Sequence, residues 1–199
     1  MNLAIKARAR SWMEGPTRLL VRVGITANHL TVLGLALSCF ASFELAQGAY
    51  GMAALFLAFS GVCDMLDGSV ARAGGGETRL GAFLDSTLDR TGEAALYVGS
   101  AWRGLALVRE LAGTRWEVTL PLLALASALL VSYVRARAEG LGAECRVGLM
   151  ERTERMVLQI AALVAAHFWE PAWAGALAIL VGLNIVTFVQ RLIHVGRQL

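Results

Sequence analysis

Six apolar stretches, separated by short polar segments, are the feature that most limits how this chain can fold. They cover residues 30–45, 51–70, 82–107, 118–134, 156–169 and 172–189. A helix needs about 20 mainly apolar residues to cross a bilayer, a length these stretches reach when their flanks are included. In a chain of 199 residues, little sequence remains for anything else. We therefore predict an all-α integral membrane protein with six transmembrane helices.

The composition excludes several other classes of protein. Hydrophobic residues make up 57% of the chain and charged residues 17%, whereas soluble domains carry about 45–50% and about 25% respectively. A water-soluble enzyme with a separate catalytic domain and a disordered chain are both excluded. The three cysteines have no C-x-x-C spacing and are interpreted as packing residues. We attribute the net charge of +3 to a membrane rather than to nucleic acid as the partner.

The chain divides into a basic leader, residues 1–29, and a membrane domain, residues 30–199. The leader alternates apolar and basic side chains, which predicts an amphipathic helix in the headgroup plane, interrupted near Gly15 and Pro16. A flexible basic tail is the alternative. Because the first apolar run begins only near Leu30, we expect no cleavable signal peptide.

The distribution of basic residues predicts the orientation in the membrane. Segments 1–29, 71–90, 135–155 and 190–199 lie on the same side and hold 15 of the 18 Lys and Arg residues. The three remaining arginines lie on the opposite side, within residues 103–115. The positive-inside rule therefore predicts a plasma-membrane protein with both termini in the cytoplasm.

Four carboxylates lie at the cytoplasmic mouths of the second and third stretches. Asp64 and Asp67 are three residues apart, and Asp85 and Asp89 are four apart, so each pair shares one helix face. The glycines at 74–76 break the helix between the two pairs and let these faces meet. Acids at a membrane are costly unless their charge is compensated, so the cluster requires counter-charges.

Two sources of counter-charge remain open at this point. Oxygen donors without competing His or Cys select Mg²⁺ or Mn²⁺, and a two-metal site can clamp a phosphoryl group. Alternatively, the acids pair with Arg72, Arg79 and Arg90 and hold no metal. Likewise, Gly68 and Gly81 either admit a ligand against the backbone or serve helix packing.

The acidic segment from Asp64 to Asp89 resembles the signature of the CDP-alcohol phosphotransferases, D-x-x-D-G-x-x-A-R-x8-G-x-x-x-D-x-x-x-D. The resemblance extends to length and to six spans with an N-terminal interfacial helix, so it covers nearly the whole chain. It implies transfer of a phosphoalcohol unit from a CDP-linked donor to an acceptor hydroxyl, with release of CMP. It also implies a homodimer, which small residues in the third stretch, Ala94, Ala95, Gly99 and Ala101, would permit.

The resemblance also implies roles for individual residues. Two Mg²⁺ or Mn²⁺ ions would be held by Asp64, Asp67, Asp85 and Asp89, with Asp89 also the general base. The CDP-linked donor would be bound by Asn28, His29, Leu30, Thr31, Gly68, Arg72, Thr78 and Gly81. The segment 26–31 resembles the family element T-P-N-x-x-T, although Ala27 replaces the proline. Asn28 as a helix cap is the alternative.

A group of arginines near the ends of the last three stretches raises the question of the acceptor. They are Arg135, Arg137, Arg152, Arg155 and Arg191. They either reflect the positive-inside rule alone or form a pocket for an anionic acceptor. The sequences S-Y-V-R-A-R-A-E, E-R-T-E-R and V-Q-R-L resemble those of bacterial phosphatidylinositol phosphate synthases, which implies CDP-diacylglycerol as donor and inositol phosphate as acceptor.

Two other functions are compatible with parts of this pattern. Glycerol 3-phosphate is also anionic and would make the chain a phosphatidylglycerophosphate synthase. A cation transporter could use intramembrane carboxylates, but it would place them near the midplane with access from both sides. The four acids here lie at one end of their helices, so we favour the enzyme.

Overall fold

Helices account for every regular element in the residues that the structure, a computed structural model, describes. These are residues 15–74, 76 and 78–199, without the side chains at 114 and 115. A helical segment covers residues 15–22. The helices that follow are α1 (Ala27–Ala46), α2 (Tyr50–Ala73), α3 (Arg79–Arg103), α4 (Ala106–Ala112), α5 (Thr114–Gly140), α6 (Arg152–Phe168) and α7 (Pro171–Gly196). The prediction of an all-α membrane protein is confirmed.

Four of these helices are long and apolar enough to cross a membrane. They are α1, α2, the segment Trp116–Gly140 of α5, and α7. Helix α3 has 25 residues but carries several acids, and α6 has only 17 residues. Six spans therefore remain a prediction.

The predicted C-terminal end of the third stretch, residue 107, is wrong. Helix α3 ends at Arg103, because Gly104 adopts a positive φ of 72° that terminates the helix. The short helix α4 follows, and Gly113, with a φ of 91°, separates it from α5.

The described part of the leader begins with the helical segment 15–22, with Pro16 at its start. Leu19 and Val23 are largely exposed, whereas Thr17 is buried. An exposed apolar face is what a helix in the headgroup plane requires. The rest of the predicted amphipathic leader, residues 1–14, lies outside the described residues.

Helix α1 packs against both α2 and α3 and holds them in place. On the α2 side, the hydroxyl of Ser60 donates to the carbonyl oxygen of Gly34 at 2.9 Å. On the α3 side, a Cβ added at Gly92 would come within 2.9 Å of Ser38. Gly92 thus lets α3 approach α1 closely, and the two contacts together bring the acid-bearing ends of α2 and α3 near each other.

The small residues of α3 that we assigned to self-association are partly used within the chain. Gly99 is buried, and a Cβ at this position would collide with the backbone of Ser42 in α1. Its lack of a side chain therefore serves the packing of α3 on α1. The homodimer stays a prediction, without the support of Gly99.

Candidate active site

The predicted site residues lie at one end of the helix bundle. Asp64 and Asp67 lie in the C-terminal half of α2, and Asp85 and Asp89 lie near the start of α3. Arg152 is the first residue of α6. Because successive spanning helices run in opposite directions, these helix ends meet on the same side as the basic segments.

Three of the four acids converge on one point. Asp64, Asp67 and Asp85 each offer a carboxylate oxygen, and these oxygens all lie within 4.8 Å of one another. Asp67 is only 7% exposed, and its Oδ2 accepts a hydrogen bond of 3.0 Å from the hydroxyl of Thr31. A set of carboxylate oxygens without His or Cys fits a hard divalent cation such as Mg²⁺ or Mn²⁺.

The fourth acid, Asp89, is linked to this group through an arginine. Arg152 places Nη2 2.7 Å from Asp89 Oδ1 and Nη1 2.9 Å from Asp64 Oδ1. Beside these side chains lies a polar space of about 10 Å³, which Ser38 and Ser60 also line. This volume is about that needed for one water molecule.

Two of the four acids, Asp64 and Asp89, pair with an arginine other than the three that the alternative named. Arg152 of α6 contacts Asp64 and Asp89. Arg72 instead donates to the hydroxyl of Ser69 at 3.3 Å, and Arg90 donates to the carbonyl oxygen of Ser86. The spacing within 64–90 could not reveal this, because α6 is distant in sequence.

A cavity of about 490 Å³ opens beside the acids. Five of the predicted donor-binding residues line it, together with two of the acids, and the set is Asn28, Thr31, Gly68, Thr78, Gly81, Asp67 and Asp85. The hydroxyl of Thr78 caps α3 by accepting from the Gly81 amide at 2.9 Å. A Cβ at Gly81 would lie 3.0 Å from this hydroxyl oxygen. A larger residue at position 81 would therefore crowd the cavity wall.

The other three predicted donor-binding residues do not line this cavity. His29 accepts a hydrogen bond of 3.3 Å from the Thr26 amide and completes the capping box of α1. Leu30 is buried and borders the small polar space. Arg72 lies next to the cavity-lining Gly68. Because Thr26 is the N-cap of α1, the alternative that Asn28 caps this helix is wrong.

Two of the five acceptor-site arginines are buried. Arg155 is 1% exposed and donates through Nε and Nη2 to the two oxygens of Glu93, at 2.6 and 2.7 Å. Arg191 is 2% exposed and donates to the carbonyl oxygens of Val147 and Val131, at 2.9 and 2.7 Å. Both arginines hydrogen-bond to other segments of the helix bundle. Neither is therefore a surface residue explained by the positive-inside rule alone. Their contact with an acceptor phosphate stays a prediction.

The remaining arginines of the group are more accessible. Arg135 pairs with Glu139, one turn further along α5, at 2.9 Å. Arg137 is exposed at the end of α5. Among these five arginines, the structure describes ion pairs with the acids for Arg152.

The sequence interpretation missed two features of the site. One is Glu93, the partner of Arg155. The other is the set of leader residues that line the cavity, Val21, Gly24 and Ile25. A signal for Glu93 was present, because Asp85, Asp89 and Glu93 follow one another at intervals of four on one helix face. No comparable signal marked the leader residues.

Comparison with known proteins agrees with this geometry. The archaetidylinositol phosphate synthase of Methanothermobacter thermautotrophicus is 40% identical over 179 residues, which cover 89% of this chain and 87% of the relative. The phosphatidylinositol phosphate synthase of Mycobacterium tuberculosis is 34% identical over 185 residues, which cover 87% and 80%.

Solved structures of the Mycobacterium tuberculosis phosphatidylinositol phosphate synthase have the same fold at 32% identity. The structure with CDP-DAG bound superimposes with a TM-score of 0.81 and covers 92% of each chain. The structure in complex with manganese and citrate has a TM-score of 0.82 and covers 92% of this chain and 88% of the other.

The sequence profile of the CDP-alcohol phosphatidyltransferases matches residues 24–190, which include the four acids, all but one of the residues that line the cavity, and four of the five arginines; Arg191 lies just beyond the match. The chain therefore belongs to the CDP-alcohol phosphatidyltransferase family, and it is a phosphatidyltransferase of phospholipid biosynthesis.

Proposed function

We propose that this enzyme transfers a phosphatidyl group from CDP-diacylglycerol to inositol 1-phosphate, giving phosphatidylinositol phosphate and CMP. The observation that carries the proposal is the cavity of about 490 Å³ beside the acids, where Asp67 and Asp85 share one wall with Gly68 and Gly81. A CDP headgroup in this cavity has its phosphates next to the carboxylates. The names of the relatives, synthases of archaetidylinositol phosphate or phosphatidylinositol phosphate, support the inositol phosphate acceptor.

In this proposal Asp64, Asp67, Asp85 and Asp89 hold two divalent ions, Mg²⁺ or Mn²⁺. The oxygen-only donor set and the manganese complex of the Mycobacterium tuberculosis relative support a divalent cation. When bound, such ions neutralise the donor phosphates and the charge that develops on the leaving CMP. Thr31 orients Asp67 through its hydrogen bond.

Other residues of the chain bind the cytidine nucleotide and accept the proton of the acceptor hydroxyl in this proposal. Asn28, Thr78 and Gly81 form the wall against which the cytidine nucleotide lies. Leu30, His29 and Arg72 support that wall from its margins. Asp89 accepts the proton of the attacking inositol hydroxyl, and its Oδ1 is within 2.7 Å of Arg152.

The acceptor phosphate lies against the arginine group in this proposal. Arg152 is the residue nearest the acids and offers its guanidinium to the phosphate, with Arg135 and Arg137 further out on α5. Arg155 and Arg191 complete the predicted set from buried positions. An uncharged acceptor, such as inositol or serine, would make no use of this group.

The membrane arrangement belongs to the same proposal. Helices α1, α2, α3, α5, α6 and α7 would cross the plasma membrane, with the leader helix in the headgroup plane and both termini in the cytoplasm. The acyl chains of the donor would lie in the bilayer while its headgroup meets the acids. Two copies of the chain would form a homodimer.

A second candidate donor has specific support. Relatives named archaetidylinositol phosphate synthase, from Methanothermobacter thermautotrophicus and Pyrococcus horikoshii, are 40% and 33% identical to this chain. The transferred unit would then be an archaetidyl group. The headgroup chemistry at the cavity is the same for both donors, so the choice rests on the lipid part.

The test is CMP release by the purified protein in detergent with Mg²⁺. Each donor, phosphatidyl or archaetidyl, is offered inositol 1-phosphate, glycerol 3-phosphate, inositol and serine in turn. Release with inositol 1-phosphate alone is the expected result. Release with glycerol 3-phosphate alone would assign a phosphatidylglycerophosphate synthase instead, and release with an uncharged acceptor would refute the arginine pocket. Cation flux through the protein in sealed vesicles, without CMP release, would favour the transporter.

A further inference from the structure

Three pairs of polar side chains join α3 to α6 across the bundle, and we call them the polar ladder. On α3 the members follow one another at intervals of four residues, and on α6 at intervals of three and four. The pairs are Asp89 with Arg152 at 2.7 Å, Glu93 with Arg155 at 2.6 and 2.7 Å, and Tyr97 with Gln159 at 2.9 Å. Only the outermost pair belongs to the acid cluster.

The polar ladder spans a wide gap between these two helices. Among the described residues, no Cα atom of α3 lies within 8 Å of a Cα atom of α6. The two backbones are therefore too far apart for close apolar packing, and long polar side chains fill the space between them. Helix α6 packs against α2 and α7, and these polar side chains join it to α3.

The middle pair is fully enclosed. Arg155 is 1% exposed, and its third nitrogen, Nη1, donates to the carbonyl oxygen of Met150 at 3.3 Å. Every guanidinium nitrogen of Arg155 thus has a partner within the protein, and no edge faces the solvent. A buried arginine whose guanidinium nitrogens are all partnered in this way holds the segments that it contacts in place.

The hydrogen bond from Arg155 to the carbonyl oxygen of Met150 acts on the part of the chain that carries Arg152. Met150 lies just before α6, and Arg152 lies three residues before Arg155, on the same helix face. Through Arg155, the carboxylate of Glu93 therefore reaches both the segment that enters α6 and the first turn of this helix.

We infer that Glu93 is a positioning residue for the transfer reaction: acting through Arg155, it fixes the first turn of α6 and with it Arg152. The guanidinium of Arg152 is thereby held between Asp64 and Asp89, at the reacting groups. Glu93 is not one of the four predicted metal-binding acids and is not among the residues that line the donor cavity. The kinetic part of the inference rests on the proposed function.

The test is an epistasis experiment on turnover. Glu93→Gln is measured in the wild-type background and in the Arg152→Gln background, with whichever acceptor the wild-type enzyme uses. Loss of a residue that positions an active-site group lowers activity by about 10- to 100-fold. We expect turnover to fall by this factor in the wild-type background. In the Arg152→Gln background, the same Glu93→Gln substitution should lower turnover by less than about threefold, because the residue through which Glu93 acts is already gone.

Glu93→Gln leaves Arg155 buried without its counter-charge, and this variant could fail to fold. A second pair of variants covers that case. The neutral double variant Glu93→Gln/Arg155→Gln is then compared with and without Arg152→Gln. Glu170→Gln is the control, because this acid pairs with Arg103 at the opposite end of the bundle. Its turnover should be unchanged.

A measurement without substrate separates this inference from the proposed function. If Glu93 and Arg155 act as a unit, the double variant should unfold at a higher temperature than either single variant, because no unpaired buried charge remains. Equal losses of turnover in both backgrounds, wild-type turnover in Glu93→Gln, or additive changes in unfolding temperature would each overturn the inference. Failure of inositol 1-phosphate as an acceptor would refute only the proposed function.

Discussion

The hydroxyl of Thr31 donates a hydrogen bond of 3.0 Å to Oδ2 of Asp67, across 36 residues of sequence. Both side chains are buried, and Thr31 lies in the second turn of α1, the helix that packs against both acid-bearing helices. In the proposed metal site, this hydrogen bond would fix which oxygen of Asp67 faces the metal. Helix α1 therefore contributes to the acid cluster although it carries none of the acids.

Thr31→Val replaces this hydroxyl with a methyl group of similar size and leaves Asp67 without its donor. We expect turnover to fall by about 10- to 100-fold, the usual cost of losing such a supporting contact. Thr31→Ser keeps the hydroxyl and should retain most of the activity. CMP release measures both variants. Wild-type rates in Thr31→Val would show that Asp67 is oriented by other contacts.

Asp85→Asn tests the acid cluster itself. The substitution keeps the shape of the side chain but removes the charge at the point where three carboxylates meet. We expect a loss of CMP release that exceeds about 100-fold, beyond the cost of a supporting residue. Size-exclusion chromatography should show a folded protein. The matched control is Glu144→Gln, an exposed acid elsewhere in the described chain that should have no effect.

Removal of divalent cations should abolish activity and lower stability together. Like charges at the cluster repel one another, and a ligand that binds only the folded state raises the unfolding temperature. We expect EDTA to stop CMP release and to lower the unfolding temperature, and Mn²⁺ or Mg²⁺ to restore both. Asp85→Asn should show no such shift in unfolding temperature. A shift of wild-type size in this variant would place the bound cation elsewhere.

The parts of the site that sequence could predict are those determined by helix periodicity and by glycine. The intervals between Asp64 and Asp67, and between Asp85 and Asp89, place each pair on one face as soon as the segments are helical. The break at Gly74 follows because glycine terminates helices readily, and α2 ends at Ala73 as expected. Such features depend only on neighbours in the sequence.

The parts that sequence could not predict depend on distant partners. Arg155 finds its carboxylate 62 residues away in Glu93, and Arg152 meets two acids on two different helices. The spacing of arginines near the cytoplasmic side is the same whether they face a ligand, an acid or water. The packing of the helices, including that of α6 against α2 and α7, decides which of these partners each guanidinium reaches.

Gly81→Ala tests the donor cavity. The added Cβ would lie 3.0 Å from the Thr78 hydroxyl and 3.4 Å from Oδ1 of Asn28, so this wall would have to move. A misplaced methyl group in a pocket costs roughly tenfold, and we expect the KM for the CDP-linked donor to rise by that factor. The KM for the acceptor should not change. The control is Gly182→Ala, because a Cβ at Gly182 in α7 has no neighbour within 4 Å.

Arg152→Gln tests the acceptor side. The variant removes the guanidinium that lies between Asp64 and Asp89 and that we propose binds the acceptor phosphate. A hydrogen bond to a charged group contributes about 1.5–3 kcal/mol, which corresponds to a rise in acceptor KM of roughly 10- to 100-fold. The KM for the CDP-linked donor should stay within about twofold, because Arg152 does not line the donor cavity. The control is Arg103→Gln, which removes an arginine from the opposite end of the bundle. Steady-state kinetics with each substrate varied in turn measure the effect, and an equal rise in both KM values would contradict an acceptor role for Arg152.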